Sequence, residues 1–144
     1  MCGSGEVLKM NKNEIMKILP HRDPILLVDR VILKEENKII AEKDITTDLK
    51  VLKGHFPNYP IYPGVYIIEG MAQAAGIMLL KENETPLFLG IDNARFKKEV
   101  RPDCVLRYEV FVKEVKASVV FVEGKAYVDN QLVAKATLML GKKG

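Results

Sequence analysis

Three residues within a 15-residue window, His55, Gly64 and Glu69, are the parts needed to move a proton beside a polarised carbonyl. Histidine titrates near neutrality and can act as a base at ordinary pH. Gly64 follows Pro63 where a helix would begin, and free N–H groups at a helix N-terminus favour developing negative charge. Glu69 lies about a turn and a half further on. It is the single formal charge between Gly54 and Leu80, in a chain that is 28% charged. A carboxylate in so apolar a setting is costly unless it is paired, protonated or used. Taken singly, each of these residues has a structural explanation; together they point to acid–base chemistry.

The element that must position them is a helix. Val65–Leu80 is apolar on every helical face apart from Glu69 and Gln73, so the sequence predicts a helix buried all round. It is too short for the roughly 20 residues of a membrane span. Pro57, Pro60 and Pro63 stiffen the approach, and proline is tolerated at a first helical turn. Gln73 and Gly76 share a face with Glu69. Gly70, Ala72, Ala74, Ala75 and Gly76 are small enough for neighbouring backbone or a long ligand to come close. Tyr59, Tyr62 and Tyr66 read as core or rim residues.

Elsewhere the chain is mostly β. Asn11–Leu19 predicts a short amphipathic helix, capped by Asn11 or Asn13 and stopped by Pro20. Ile25–Leu33 and Lys38–Ile45 read as strands of a hairpin joined by Glu35-Glu36-Asn37. Asp48–Lys53 leads into the central stretch, and Lys81–Pro86 forms a loop. Leu87–Ile91 is a short strand, and Asp92–Val100 opens a basic cluster. Val105–Lys116, Ser118–Val128 and Leu132–Leu140 are long strands. In the first of these Leu106, Tyr108, Val110 and Val112 share one face. Short polar turns make the pairing antiparallel. A sheet wrapped around one buried helix follows, an α+β class, and the side of the helix that one sheet leaves uncovered predicts a dimer partner. Residues 1–10, opening MCGSG, read as disordered or as an added tag, with 11–144 as a single domain.

The totals narrow the function. A net charge of +3 without a Lys/Arg stripe interleaved with aromatics argues against nucleic acid as a partner. Cys2 and Cys104 have no metal-ligand spacing, so no metal is expected, and they fit a reducing, cytoplasmic setting. The N-terminus lacks the pattern of a signal peptide.

GHFPNYPIYPGVYIIEGMAQ at 54–73 resembles the signature of the (3R)-hydroxyacyl–acyl carrier protein dehydratases of type II fatty acid synthesis, in the broad-range hydroxymyristoyl-type branch. LPHRDPILLVDRV at Leu19–Val31 resembles their N-terminal motif, and NARFKKEVRPD at Asn93–Asp103 a later one. The resemblance implies the hot dog fold and no cofactor. It implies loss of water from a 3-hydroxyacyl thioester to give the trans-2-enoyl thioester. His55 would take the C2 proton, Glu69 would protonate the departing hydroxyl, and the Gly64 N–H would bond the thioester carbonyl. Phe56, Tyr62, Pro63, Val65 and Gln73 would line the substrate site. Tyr62 stands where Met is more usual, as a narrowing or a gate of the acyl tunnel. The resemblance further implies a homodimer whose subunits share each site, arranged as a trimer of dimers. Acyl carrier protein would be the partner, with Arg22, Arg95, Lys97, Lys98 and Arg101 as a docking rim. Competing readings are a hot dog thioesterase and a non-catalytic acyl-thioester binder. A dehydratase-isomerase is disfavoured, because it carries Asp where Glu69 stands.

Overall fold

Hydrophobic alternation and tight polar turns build most of this molecule. The computed structural model describes residues 9–54, 58–81 and 84–143. Strand β1 spans Arg30–Lys34, β2 Lys38–Ile45, β3 Thr85–Phe96, β4 Cys104–Lys116, β5 Val119–Val128 and β6 Gln131–Lys143. They form one antiparallel sheet in the order β1-β2-β4-β5-β6-β3. In β4, Leu106, Tyr108 and Val110 are fully buried while the intervening residues keep partial access to solvent. Asp129 and Asn130 join β5 to β6 with both φ angles positive, at 51° and 64°. Two such residues match the strands' right-handed twist, and Asn and Asp tolerate this region best.

Helix α1 spans Lys12–Ile18, α2 Lys50–Gly54 and α3 Gly64–Leu79. Asn11 caps α1 through a reciprocal pair of bonds with Glu14, a capping box. Helix α3 packs on β2 through β6, and Ile67, Ile68 and every residue from Gly70 to Met78 are buried. Two glycines set how closely helix and sheet approach. A methyl group on Gly70 would overlap the ring and hydroxyl of Tyr108, and one on Gly124 would meet Met71. The sheet thus wraps the helix as expected of the hot dog fold.

Several expectations need correction. The strand expected over Ile25–Leu33 begins only at Arg30, because Ile25 and Leu27 bond to a side chain of α3 instead of a neighbouring strand. The stretch leading into the centre contains the short helix α2. Strand β3 continues to Phe96, bending through irregularities between Phe88 and Gly90 and between Asp92 and Arg95. Met10 is buried and exchanges both backbone bonds with Val31, so residue 10 belongs to the folded unit. In agreement with the expected uncovered side of the helix, Val65 of α3 is 70% exposed. None of the helices described is long and apolar enough to cross a membrane.

Candidate active site

The site begins with the segment that fails to become a strand. Arg22 closes it locally, donating from Nη1 to the carbonyls of Leu19 and His21 and from Nη2 to that of Met16. Gln73 then clamps it to α3. Its Oε1 accepts from the Leu27 N–H at 2.7 Å, and its Nε2 donates to the Ile25 carbonyl at 2.7 Å and to Glu69 Oε2 at 3.0 Å. The Gln73 side chain is buried, and all these groups find partners, as buried amides require. Tyr108 adds a further tie by donating to the Leu27 carbonyl.

The clamp brings His21 to Glu69, with Nε2 3.6 Å from Oε2. Burial pushes the His21 imidazole below its usual titration range; Glu69 opposes this and Arg22 adds to it. The imidazole is therefore neutral at neutral pH. Glu69 is not the fully enclosed carboxylate the apolar helix suggests, since 35% of its side chain is accessible. It opens onto a cavity of about 150 Å³ whose polar end is Glu69, His21 and Gln73. Apart from Ser118 the remainder is apolar, walled by residues such as Ala72, Gly76, Leu79, Phe88 and Leu140. A dry cavity of about this volume admits a guest the size of benzene. Polar groups gathered at one end of an apolar slot suit a long-tailed substrate with one reactive carbon centre.

A family model described as a FabA-like domain matches residues 19–137. The 3-hydroxyacyl-[acyl-carrier-protein] dehydratase FabZ of Thermotoga neapolitana is 59% identical over 135 residues, covering 93% of this chain and 98% of the relative. The chain belongs to the FabA-like dehydratase family. A relative of the same name from Petrotoga mobilis is 54% identical over 137 residues, covering 93% of this chain and 99% of its own length. Among solved structures, this FabA-like chain resembles the dehydratase heterocomplex ApeI:P from Xenorhabdus doucetiae, with a TM-score of 0.75 at 19% identity over 90% of this chain and 91% of that one. That likeness is one of fold.

Of the residues singled out in this FabA-like sequence, Glu69 and Gln73 come together at the cavity. His55 and Phe56 lie outside the described residues. Gly64 and Val65 border a separate depression with Ile61, Phe96 and Lys98. Pro63 is the N-cap of α3, and its carbonyl accepts from Tyr66 and Ile67. Tyr62 also borders that depression but is 2% exposed and does not line the Glu69 cavity. Its ring packs edge-on against Tyr66 with centroids 5.9 Å apart, which is a core role within one chain. Arg22 is exposed and staples the loop through the three carbonyls above. Arg95, Lys97, Lys98 and Arg101 are all exposed, and Arg101 lies 4.0 Å over the Tyr59 ring. His21 was not among the expected site residues. The one available signal is its type: it is one of the chain's two histidines, inside the LPHRDPILLVDRV stretch that resembles the family's N-terminal motif.

Proposed function

We infer that the chain removes water from (3R)-hydroxyacyl groups on acyl carrier protein, giving the trans-2-enoyl thioester in fatty acid elongation. The observation that carries this reading is Glu69 at the polar end of a largely apolar cavity, in a chain 59% identical to a named dehydratase. His55 accepts the C2 proton, and the electron pair of that C–H bond becomes the C2=C3 double bond. The C3–O bond breaks, its electrons leave with oxygen, and a proton from Glu69 completes the water. The Gly64 N–H bonds the thioester oxygen, which gains negative charge as C2 is deprotonated. Donors fixed where charge develops are a large source of rate acceleration.

Each site is shared between two chains. Gly64 and Glu69 border different depressions with no lining residue in common, which supports a site assembled from the Gly64 end of one subunit and Glu69 of another. The dimer reading is further supported by β3. It is an edge strand of the described sheet, with Leu87, Phe88, Leu89 and Ile91 all between 39% and 53% exposed. Apolar edges of this kind invite pairing. Family resemblance extends the dimer to a trimer of dimers. Exposed Arg95, Lys97, Lys98 and Arg101 offer positive charge to an acidic carrier protein, and Cys104, a free thiol, suits a reducing cytoplasm.

Thioester hydrolysis is the weaker reading. A hypothetical thioesterase with coenzyme A from Streptococcus pneumoniae shares the fold with a TM-score of 0.65, but at 13% identity. The test is to incubate the purified protein with a 3-hydroxyacyl carrier thioester and follow enoyl absorbance and free thiol together. Enoyl growth without thiol release is expected; thiol release without enoyl formation would reverse the choice.

A further inference from the structure

Among the described residues, the two side chains that reach Glu69 approach the same oxygen. Gln73 Nε2 lies 3.0 Å and His21 Nε2 3.6 Å from Oε2. Among the described residues, no hydrogen bond reaches Oε1. The neutral imidazole carries one proton, and the nearby carboxyl oxygen draws it to Nε2. His21 is held at this place by structure and not by chance. Its carbonyl is fastened to Arg22, and Gln73 anchors the two backbone positions at Ile25 and Leu27. Its Nδ1 is buried without a hydrogen bond among the described residues, so the ring edge near Glu69 is the productive one.

We propose that His21 is a positioning residue that, with Gln73, commits Glu69 to delivering its proton from Oε1. The proposal rests on the dehydratase reading above. Gln73 Nε2–H bonds Oε2 and His21 Nε2 stands close to the same atom, which places the acid proton on Oε1, the oxygen with no hydrogen-bond partner among the described residues. During elimination the Oε1–H bond breaks, the proton joins the hydroxyl leaving C3, and water departs. Glu69 is left as a carboxylate. At that moment the His21 and Gln73 donors face a negative oxygen, and a hydrogen bond to an ionised acceptor is about twice as strong as a neutral one. Their stabilisation therefore grows toward the transition state, which raises kcat without tightening substrate binding. A contact that is long in the free enzyme shortens as charge develops.

The test compares wild type with His21→Ala, His21→Leu and His21→Gln in enoyl-thioester formation, with thermal melting to check folding. His21→Ala is expected to lower kcat at least tenfold while KM stays within about twofold. His21→Leu refills the space without a donor and should be as slow, which covers the case where the alanine variant fails to melt cooperatively. His21→Gln restores an N–H and should recover most of the lost kcat. Wild-type kcat in the leucine variant, or equal loss in the leucine and glutamine variants, would overturn the positioning role. An inactive wild-type enzyme would instead reject the dehydratase reading, and this inference with it.

Discussion

Gln73 shows how much one side chain can organise. It is an amide in an apolar helix, yet each polar atom has a partner, and two of those partners are backbone groups of a segment with no strand neighbour. Gln73→Leu would keep the volume and strand the Leu27 N–H and the Ile25 carbonyl. A buried unpaired group costs about 1–3 kcal/mol, so the variant should unfold at clearly lower urea with an unchanged m-value. Its kcat should fall too, since Glu69 loses its nearer donor. An unshifted midpoint would mean that the segment is held by packing alone. At this scale the sequence is only half informative. The unusual Glu69 and Gln73 stand out because their type clashes with their surroundings. His21 does not, because its closeness to Glu69 arises from contacts between residues 48 positions apart.

The elements were legible where local rules decide them. Helix α3 starts at Gly64 after Pro63 as read, and β2 falls on Lys38–Ile45, since composition and turn residues define both locally. The segment before β1 departs from its sequence pattern because a branched apolar run looks like a strand whichever group satisfies its backbone. Strand β3 is longer than its sequence pattern indicates. Its polar and charged second half, with Asn93 at a positive φ of 53°, breaks the alternation that marks a half-buried strand. That same strand carries the dimer reading. Leu89→Lys with Ile91→Lys places two charges on the apolar edge, where like charges from a paired strand would face one another. The expected outcome is a shift to monomer by sedimentation with loss of enoyl formation. A dimer of unchanged affinity would show that β3 is not the interface.

For the whole molecule, a net charge of +3 matters less than where the cations lie. Lys97 and Lys98 are exposed beside the Gly64 depression. Reversing both to Glu should raise KM for the carrier-bound substrate several-fold and leave that for a pantetheine analogue unchanged, because steering acts only on a charged partner. Equal effects on the two substrates would remove the docking role. The central claim is narrower: Glu69 supplies the proton that turns the hydroxyl into water. It is tested most directly by enoyl absorbance with saturating 3-hydroxyacyl carrier thioester, comparing wild type with Glu69→Gln. The amide keeps the shape and has no acid proton, so turnover should fall by at least about a hundredfold with the fold intact, within the typical range for losing a general acid. Near-normal turnover by Glu69→Gln would contradict the account.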